Sequence, residues 1–176
     1  MRPTPDRIRE TLFNWLADDL YEARCIDLYA GSGALGLEAL SRGAGELVFV
    51  EAQRQVQEAI GQHLELLGAK AEQHQGQAIS YLQYCDRKFD IAFVDPPYGQ
   101  GLVVPTLEAL APRLALYNRI YVECEARSDL RLPAGWEVLK AKTSGQVGYY
   151  LLSYSPASED ATESSLENSQ GGSTAE

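Results

Sequence analysis

The hydrophobic positions of this chain fall into short apolar runs separated by stretches with helical spacing. Three runs look buried on both faces, as strands of a parallel sheet do, namely CIDLYA (25–30), ELVFVE (46–51) and FDIAFVD (89–95). RIYVEC (119–124) extends the series, and helix-like stretches lie at 35–41, 56–67, 78–84 and 103–110. Strands that alternate with helices predict an α/β fold with a parallel sheet and crossover helices.

The two ends of this pattern differ from its middle. Thr4-Pro5 offers an N-cap followed by proline at the first helical position, and apolar residues then recur at helical spacing, which predicts a helix ending near Tyr21. At the other end, WEVLKAK (136–142) and GYYLLSY (148–154) are separated by only five residues. So short a connection predicts an antiparallel hairpin at the end of the sheet.

Composition divides the chain into a domain at 1–154 and a tail at 155–176. The tail is rich in Ser, Thr, Glu, Gly and Asn and too poor in apolar residues to pack, which predicts disorder. It holds five of the 25 acidic residues and none of the 15 basic ones, so the domain carries 20 acidic against 15 basic residues. The net charge of −10 therefore overstates the charge of the predicted folded part.

Basic residues cluster near both ends of the predicted domain. They are Arg2, Arg7, Arg9, Arg127, Arg131, Lys140 and Lys142. Such clusters can form a local positive face for nucleic acid, although a solvated scatter of charge explains them equally well. The apolar runs are too short to span a membrane and no signal peptide is recognisable, so we expect a cytoplasmic protein. Cys25, Cys85 and Cys124 lack the spacing of a zinc site or disulfide framework.

A glycine-rich loop follows the first predicted strand. Gly31, Gly33 and Gly36 form the G-x-G-x-x-G arrangement between a strand and a helix, where the backbone can approach a ligand closely. Glu51 lies 20 positions after Gly31, where a carboxylate can accept both hydroxyls of a ribose. Asp27, just before the loop, would repel a pyrophosphate and suits a cationic ligand such as S-adenosylmethionine. It can also cap backbone N–H groups of the loop.

A second loop, VDPPYG (94–99), follows the predicted strand at 89–95. The carboxylate of Asp95 and the carbonyl of Pro96 can accept the N–H groups of a nucleobase amine. Pro97 stiffens the loop, and Tyr98 can stack on the flat base. Open α/β sheets bind ligands at the carboxyl ends of their strands, which favours this interpretation over a tight turn without chemistry.

These motifs, in their order, resemble a known group. DLYAGSGALGLEAL, VFVEA and FVDPPYG are similar to class I S-adenosylmethionine-dependent methyltransferases that modify exocyclic amino groups. Together with RPTPDRIRETLFNWL and GQVGYYLL, they make residues 2–154 resemble the bacterial 16S ribosomal RNA (guanine-N2) methyltransferase family. The resemblance implies a Rossmann-like fold with a seven-stranded, mostly parallel sheet, an antiparallel terminal hairpin and helices on both faces.

The resemblance also implies an activity and a set of site residues. A methyl group would pass from S-adenosylmethionine, without a metal, to the N2 amino group of a guanine, leaving S-adenosylhomocysteine. The substrate would be 16S rRNA within a partly assembled small subunit, and the enzyme a monomer. The implied cofactor-binding residues are Asp27, Gly31, Ser32, Gly33, Gly36, Glu51, Ala52, Gln77 and Ala78. The implied catalytic residues are Asp95, Pro96, Pro97 and Tyr98, and the implied RNA contacts are Arg2, Arg7 and Tyr98.

The chain departs from the family pattern in two places. A basic, glycine-containing segment usually precedes RPT, and here that segment is expected to be absent. Where related enzymes place an acid near the adenine amino group, this chain has Gln77, whose amide is a weaker acceptor. His63 and His74 match no catalytic pattern and are expected to be structural or exposed.

Three other functions remain compatible with parts of the sequence. The first is an amino-methyltransferase for a DNA base or a protein glutamine, because the PPY chemistry serves all of these substrates. The second is a nicotinamide-dependent oxidoreductase, which shares the glycine loop but leaves DPPY unexplained. The third is a non-catalytic binding module in ribosome assembly.

Overall fold

Strands and helices alternate along the chain as far as the fifth strand, after which two strands follow directly. The structure, a computed structural model, describes residues 4–157. The helices are α1 (Asp6–Trp15), α2 (Ala34–Ser41), α3 (Arg54–Leu67), α4 (Ala78–Tyr84) and α5 (Val103–Leu110), with a short 3-10 helix at Ala111–Arg113. The strands are β1 (Arg24–Asp27), β2 (Glu46–Glu51), β3 (Glu72–Gln75), β4 (Phe89–Val94), β5 (Leu114–Glu125), β6 (Trp136–Ser144) and β7 (Val147–Tyr154).

The seven strands form one sheet in the order β3-β2-β1-β4-β5-β7-β6. The first five are parallel, whereas β7 runs antiparallel to both β5 and β6. The hairpin therefore inserts its second strand between β5 and its own first strand. The predicted seven-stranded, mostly parallel sheet with an antiparallel terminal hairpin is confirmed.

Helices cover both faces of the sheet, as predicted. Successive side chains of a strand point to opposite faces, so in β4 Phe93 packs in one core cluster and Ala92 in the other. The first cluster contains buried residues of α1, α2 and α3, and the second contains those of α4 and α5. The apolar runs that look buried on both faces are therefore central strands between two helical layers.

Two predicted boundaries were wrong because burial continues where regular structure ends. The helix expected to reach Tyr21 ends at Trp15, although Leu16 and Leu20 remain buried in the turns that follow. The run expected to be a strand as far as residue 30 leaves the sheet after Asp27. Its loop still donates backbone hydrogen bonds to both neighbouring strands, from Leu28 and Ala30.

Several sequence expectations concern residues beyond the described part. Arg2 lies outside the described residues, and so does the predicted disordered tail apart from residues 155–157. Within residues 4–157, no helix combines the length and the apolar character needed to cross a bilayer.

Candidate active site

Four carboxylates gather at the carboxyl-terminal edge of the sheet, on the face covered by α1, α2 and α3. Residues i and i+2 of a strand share a face. Each acid therefore follows, two positions later, a buried residue of the first core cluster. The pairs are Cys25 with Asp27, Phe49 with Glu51, Phe93 with Asp95, and Tyr121 with Glu123. The carboxylates thus extend an apolar surface toward the edge where open α/β sheets bind ligands.

Glu51 holds the glycine loop in place. It is 6% exposed and accepts hydrogen bonds from the backbone N–H of Gly31 (2.9 Å) and of Gln53 (3.1 Å). The loop needs glycine because Gly31 and Gly33 have φ values of 56° and 80°, in the left-handed region. The acid at the end of β2 and the glycine loop, 20 residues apart in sequence, form one structural unit.

Asp27 lies beside this loop and is 2% exposed. Its carboxylate accepts a hydrogen bond from the backbone N–H of Gly36 at 3.3 Å, so the capping role considered from the sequence is present. Burial raises the pKa of Asp27 to about 7; the Gly36 bond opposes this and the charge of Glu51 adds to it. At Gly36, a Cβ atom would lie 2.4 Å from the Phe49 ring, so this glycine serves helix packing.

The loop after β4 carries the predicted catalytic residues. Asp95 is half-buried and Pro96 is buried, whereas Pro97 and Tyr98 are exposed. Burial, and after it the charges of Glu123 and Asp27, together raise the pKa of Asp95 to about 8. Asp95 therefore stands in an apolar, anionic setting rather than beside a basic side chain.

Glu123, at the end of β5, was missed by the sequence reasoning. It is 5% exposed, and its Oε2 accepts hydrogen bonds from the hydroxyls of Tyr121 (2.9 Å) and Thr4 (3.2 Å). Burial, and then the charge of Glu123, raises the pKa of Tyr121. The available signal was an acid inside the apolar run RIYVEC, since buried carboxylates are rare without a partner or a ligand.

A cleft of about 810 Å³ opens beside Asp95 and Glu123. Its walls come from the 95–98 loop, from the end of β5 and from the β6–β7 turn, and they include Glu123, Arg127 and Gln146. A smaller hollow of about 260 Å³ lies between the 96–104 segment and residues 123–130. Both are lined by Glu123 and Tyr98, so the two side chains border a common region.

The remaining predicted site residues are more scattered. Ser32 and Ala52 are exposed beside the loops that Glu51 holds, and Arg7 is exposed on α1. Gln77 is the N-cap residue of α4, ahead of buried Ala78. Gln77 lines a separate hollow of about 310 Å³ with His74. Their assigned roles stay predictions.

The site fits a cationic adenosine-type ligand. Asp27, Glu51 and Glu123 are buried, and within residues 4–157 no ion pair involves any of the four acids. A sulfonium and an ammonium group would supply the missing positive charge, whereas a pyrophosphate would be repelled. In the described part of the chain, no three His, Cys, Asp or Glu side chains form a group suited to a metal ion.

The strand order, the glycine loop after β1 and the acid ending β2 define a class I S-adenosylmethionine-dependent methyltransferase. The likeness to TrmN from Thermus thermophilus, with a TM-score of 0.73 at 20% identity over 84% of this chain and 48% of that one, is one of fold. The family described as "Conserved hypothetical protein 95" matches residues 1–153. The chain belongs to this family, that of ribosomal RNA small subunit methyltransferase D.

Its relatives are similar over most of their length. Ribosomal RNA small subunit methyltransferase D of Escherichia coli strain K12 is 44% identical over 155 residues, covering 86% of this chain and 78% of that protein. The Haemophilus influenzae protein of the same name is 38% identical, with 86% and 82% covered. The solved structure of yhhF from Escherichia coli has a TM-score of 0.83 at 42% identity and covers 88% of each chain. The resemblance to methyltransferases is confirmed, which removes the oxidoreductase alternative.

Proposed function

We propose that this protein methylates the N2 amino group of a guanine in 16S rRNA, using S-adenosylmethionine. We further propose that it acts as a cytoplasmic monomer on partly assembled small subunits. The observation that carries the proposal is the position of Asp95 and Tyr98 on the wall of the large cleft, which buried Glu123 also lines. Relatives named for the methylation of small-subunit rRNA support the substrate class.

Asp95 and Pro96 would prepare the amine for attack. The lone pair of a guanine amino group is delocalised into the ring, which makes the nitrogen a poor nucleophile. Acceptors that hold its N–H groups at the Asp95 carboxylate and the Pro96 carbonyl direct the nitrogen and favour build-up of charge on it. S-adenosylmethionine, when bound, supplies a methyl group activated by a sulfonium. The proton lost from the methylated nitrogen can pass to Asp95 or to water.

The cleft suits a base that has left its helix. Its volume of about 810 Å³ falls in the range of small-molecule sites, which is roughly 300–1,000 Å³. Enzymes that modify a base extrude it from the stack and hold it between flat side chains, a role open to Tyr98. Arg127, exposed on the cleft wall, can contact the phosphate backbone.

The direct test is transfer of a radiolabelled methyl group. The wild-type protein is incubated with free 16S RNA, with mature small subunits and with partly assembled subunits from cells lacking the enzyme, and nucleosides are then separated. We expect label in N2-methylguanosine, mainly from the partly assembled subunits. Label in another nucleoside would contradict the guanine assignment. Equal labelling of free RNA would contradict the substrate state. DNA and protein glutamine are tested in parallel for the alternative amino-methyltransferase.

A further inference from the structure

Glu123 is a buried carboxylate to which the proposed chemistry gives no role. Parallel pairing of β4 with β5 sets Val94 opposite Val122, so Asp95 and Glu123 follow side by side at the edge of the sheet. Both carboxyl groups line the large cleft. The Tyr121 and Thr4 hydroxyls bind the Oε2 atom of Glu123 and fix its orientation. The result is a pair of neighbouring acceptors on the cleft wall, of which Glu123 is held by two hydroxyls.

Such a pair matches one edge among the four RNA bases. Guanine presents an amino group directly beside a ring N–H, and so offers two adjacent donors. In adenine and cytosine the ring nitrogen beside the amino group is an acceptor, and uracil has no amino group. An ionised carboxylate only accepts hydrogen bonds, so it would repel the ring nitrogen of adenine or cytosine.

We propose that Glu123 selects guanine by accepting its N1–H while Asp95 accepts its N2 amino group. The inference rests on the proposed function and assigns the specificity of that site to a residue outside the DPPY loop. The two adjacent N–H groups of guanine would each meet one of these neighbouring carboxyl oxygens. Desolvating a carboxylate with no donor opposite it is costly, so a base without the ring N–H is rejected.

The experiment replaces the target guanine of an RNA fragment by 2-aminopurine, which keeps the amino group but has an acceptor at N1. Wild-type protein should prefer guanine by about 100-fold, both in binding with S-adenosylhomocysteine present and in methyl transfer. In Glu123→Gln the amide can donate to N1 of 2-aminopurine, and the preference should narrow to about tenfold or less. Glu137→Gln, an exposed change on β6 away from the cleft, should keep the wild-type ratio.

The outcomes separate the inference from the proposed function. Glu123→Gln could lose binding and methyl transfer equally with guanine and with 2-aminopurine, leaving the preference between the bases unchanged. That result would overturn the inference and show that Glu123 has a structural role. If the wild-type protein bound guanine and 2-aminopurine equally well, the inference would be overturned. This test needs no variant, so it holds even if Glu123→Gln fails to fold. Glu123-dependent preference in binding without methyl transfer would refute the function and support the inference. If Glu123→Gln formed N2-methylguanosine with the same preference for guanine as the wild type, the proposed function would be supported and the inference refuted.

Discussion

The acidic side chains at the two edges of the sheet differ in their partners. At the amino-terminal edge the acids meet cations: Arg24 pairs with Asp90 at 3.1 Å, and Arg87 bridges Glu46 and Glu72. At the carboxyl-terminal edge, N–H groups and hydroxyls donate to Asp27, Glu51 and Glu123, and within residues 4–157 no ion pair involves these acids or Asp95. Among the described residues, the same sheet therefore carries ion-paired acids at one edge and buried acids without a basic partner at the other.

The acids at the two edges differ in what they contribute to stability and to ligand binding. Exposed ion pairs stabilise a fold weakly and tolerate change, whereas buried carboxylates without counterions cost free energy in the empty protein. A fold keeps such groups where a ligand supplies what they lack. Under the proposed function, the carboxyl-terminal edge would bind a cation and the donors of a base at the expense of stability, while the other edge holds strand ends together.

Among substitutions at the two edges, Asp95→Ala is expected to have the largest effect. It removes the proposed acceptor of the reacting amine, and we expect methyl transfer to fall by about 10³-fold or more. Binding of S-adenosylhomocysteine should change by only about threefold, because Asp27 and Glu51 remain. Transfer assays and calorimetry on the same preparation check this. Equal loss of both properties would show that Asp95 mainly builds the fold or the cofactor pocket.

Asp27→Asn tests the charge beside the glycine loop. The amide can still accept the Gly36 N–H but offers no negative charge, so affinity for S-adenosylhomocysteine should fall about 10- to 100-fold. The melting temperature should hold or rise, since a neutral group costs less to bury. Asp86→Asn, at an exposed position before β4, is the matched control and should change neither property. Undiminished affinity in Asp27→Asn would remove the electrostatic role.

The pH dependence of stability should differ between the edges. Asp27 and Asp95, facing Glu51, Glu123 and the Tyr121 hydroxyl, have folded pKa values of about 7 and about 8, above the ordinary value near 4. Between the ordinary pKa near 4 and the folded pKa values, these two groups bind fewer protons in the unfolded chain than in the folded one. The free energy of unfolding contributed by this edge therefore falls as pH rises from about 4 to about 8.

Asp90, at the other edge, behaves in the opposite sense. Burial opposes the shift, but the hydrogen bonds and charge of Arg24 hold the pKa of Asp90 below its ordinary value. Its contribution is present at neutral pH and lost as pH falls below about 4.

Urea unfolding tests the carboxyl-terminal edge. The free energy of unfolding of the wild type should fall by about 1 kcal/mol or more from pH 5 to pH 8, and that of Asp95→Asn should fall clearly less. Parallel profiles for the two proteins would contradict this assignment.

The smallest effect is expected at the amino-terminal edge. Arg24→Ala removes the ion pair with Asp90 but leaves the Arg24 backbone N–H bonded to that carboxylate. Unfolding free energy should fall by about 1 kcal/mol or less, and 1 M salt should shrink the difference. Methyl transfer should stay within about twofold of wild type. A large loss of transfer would show that the two edges are not independent.

Much of the fold was predictable because its signals are local. The bounds of β2, α4 and α5 agree with the predicted ones, since each element has its own apolar period and a turn at its end. The first helix was predicted too long because Leu16 and Leu20 are buried by the sheet without being helical. Periodicity reports burial, and burial does not require a continuous helix.

Local sequence patterns were enough to predict the alternation of strands and helices, the glycine loop with Glu51, and the position of the DPPY loop at the end of a strand; the chemistry of that loop stays a prediction. The position of β7 between β5 and β6, and that of Glu123 beside Asp95, became visible in the folded sheet. Local patterns fix which face of a strand a side chain occupies. Which side chains become neighbours across strands depends on strand order and register, and these are set by packing between segments far apart in the chain.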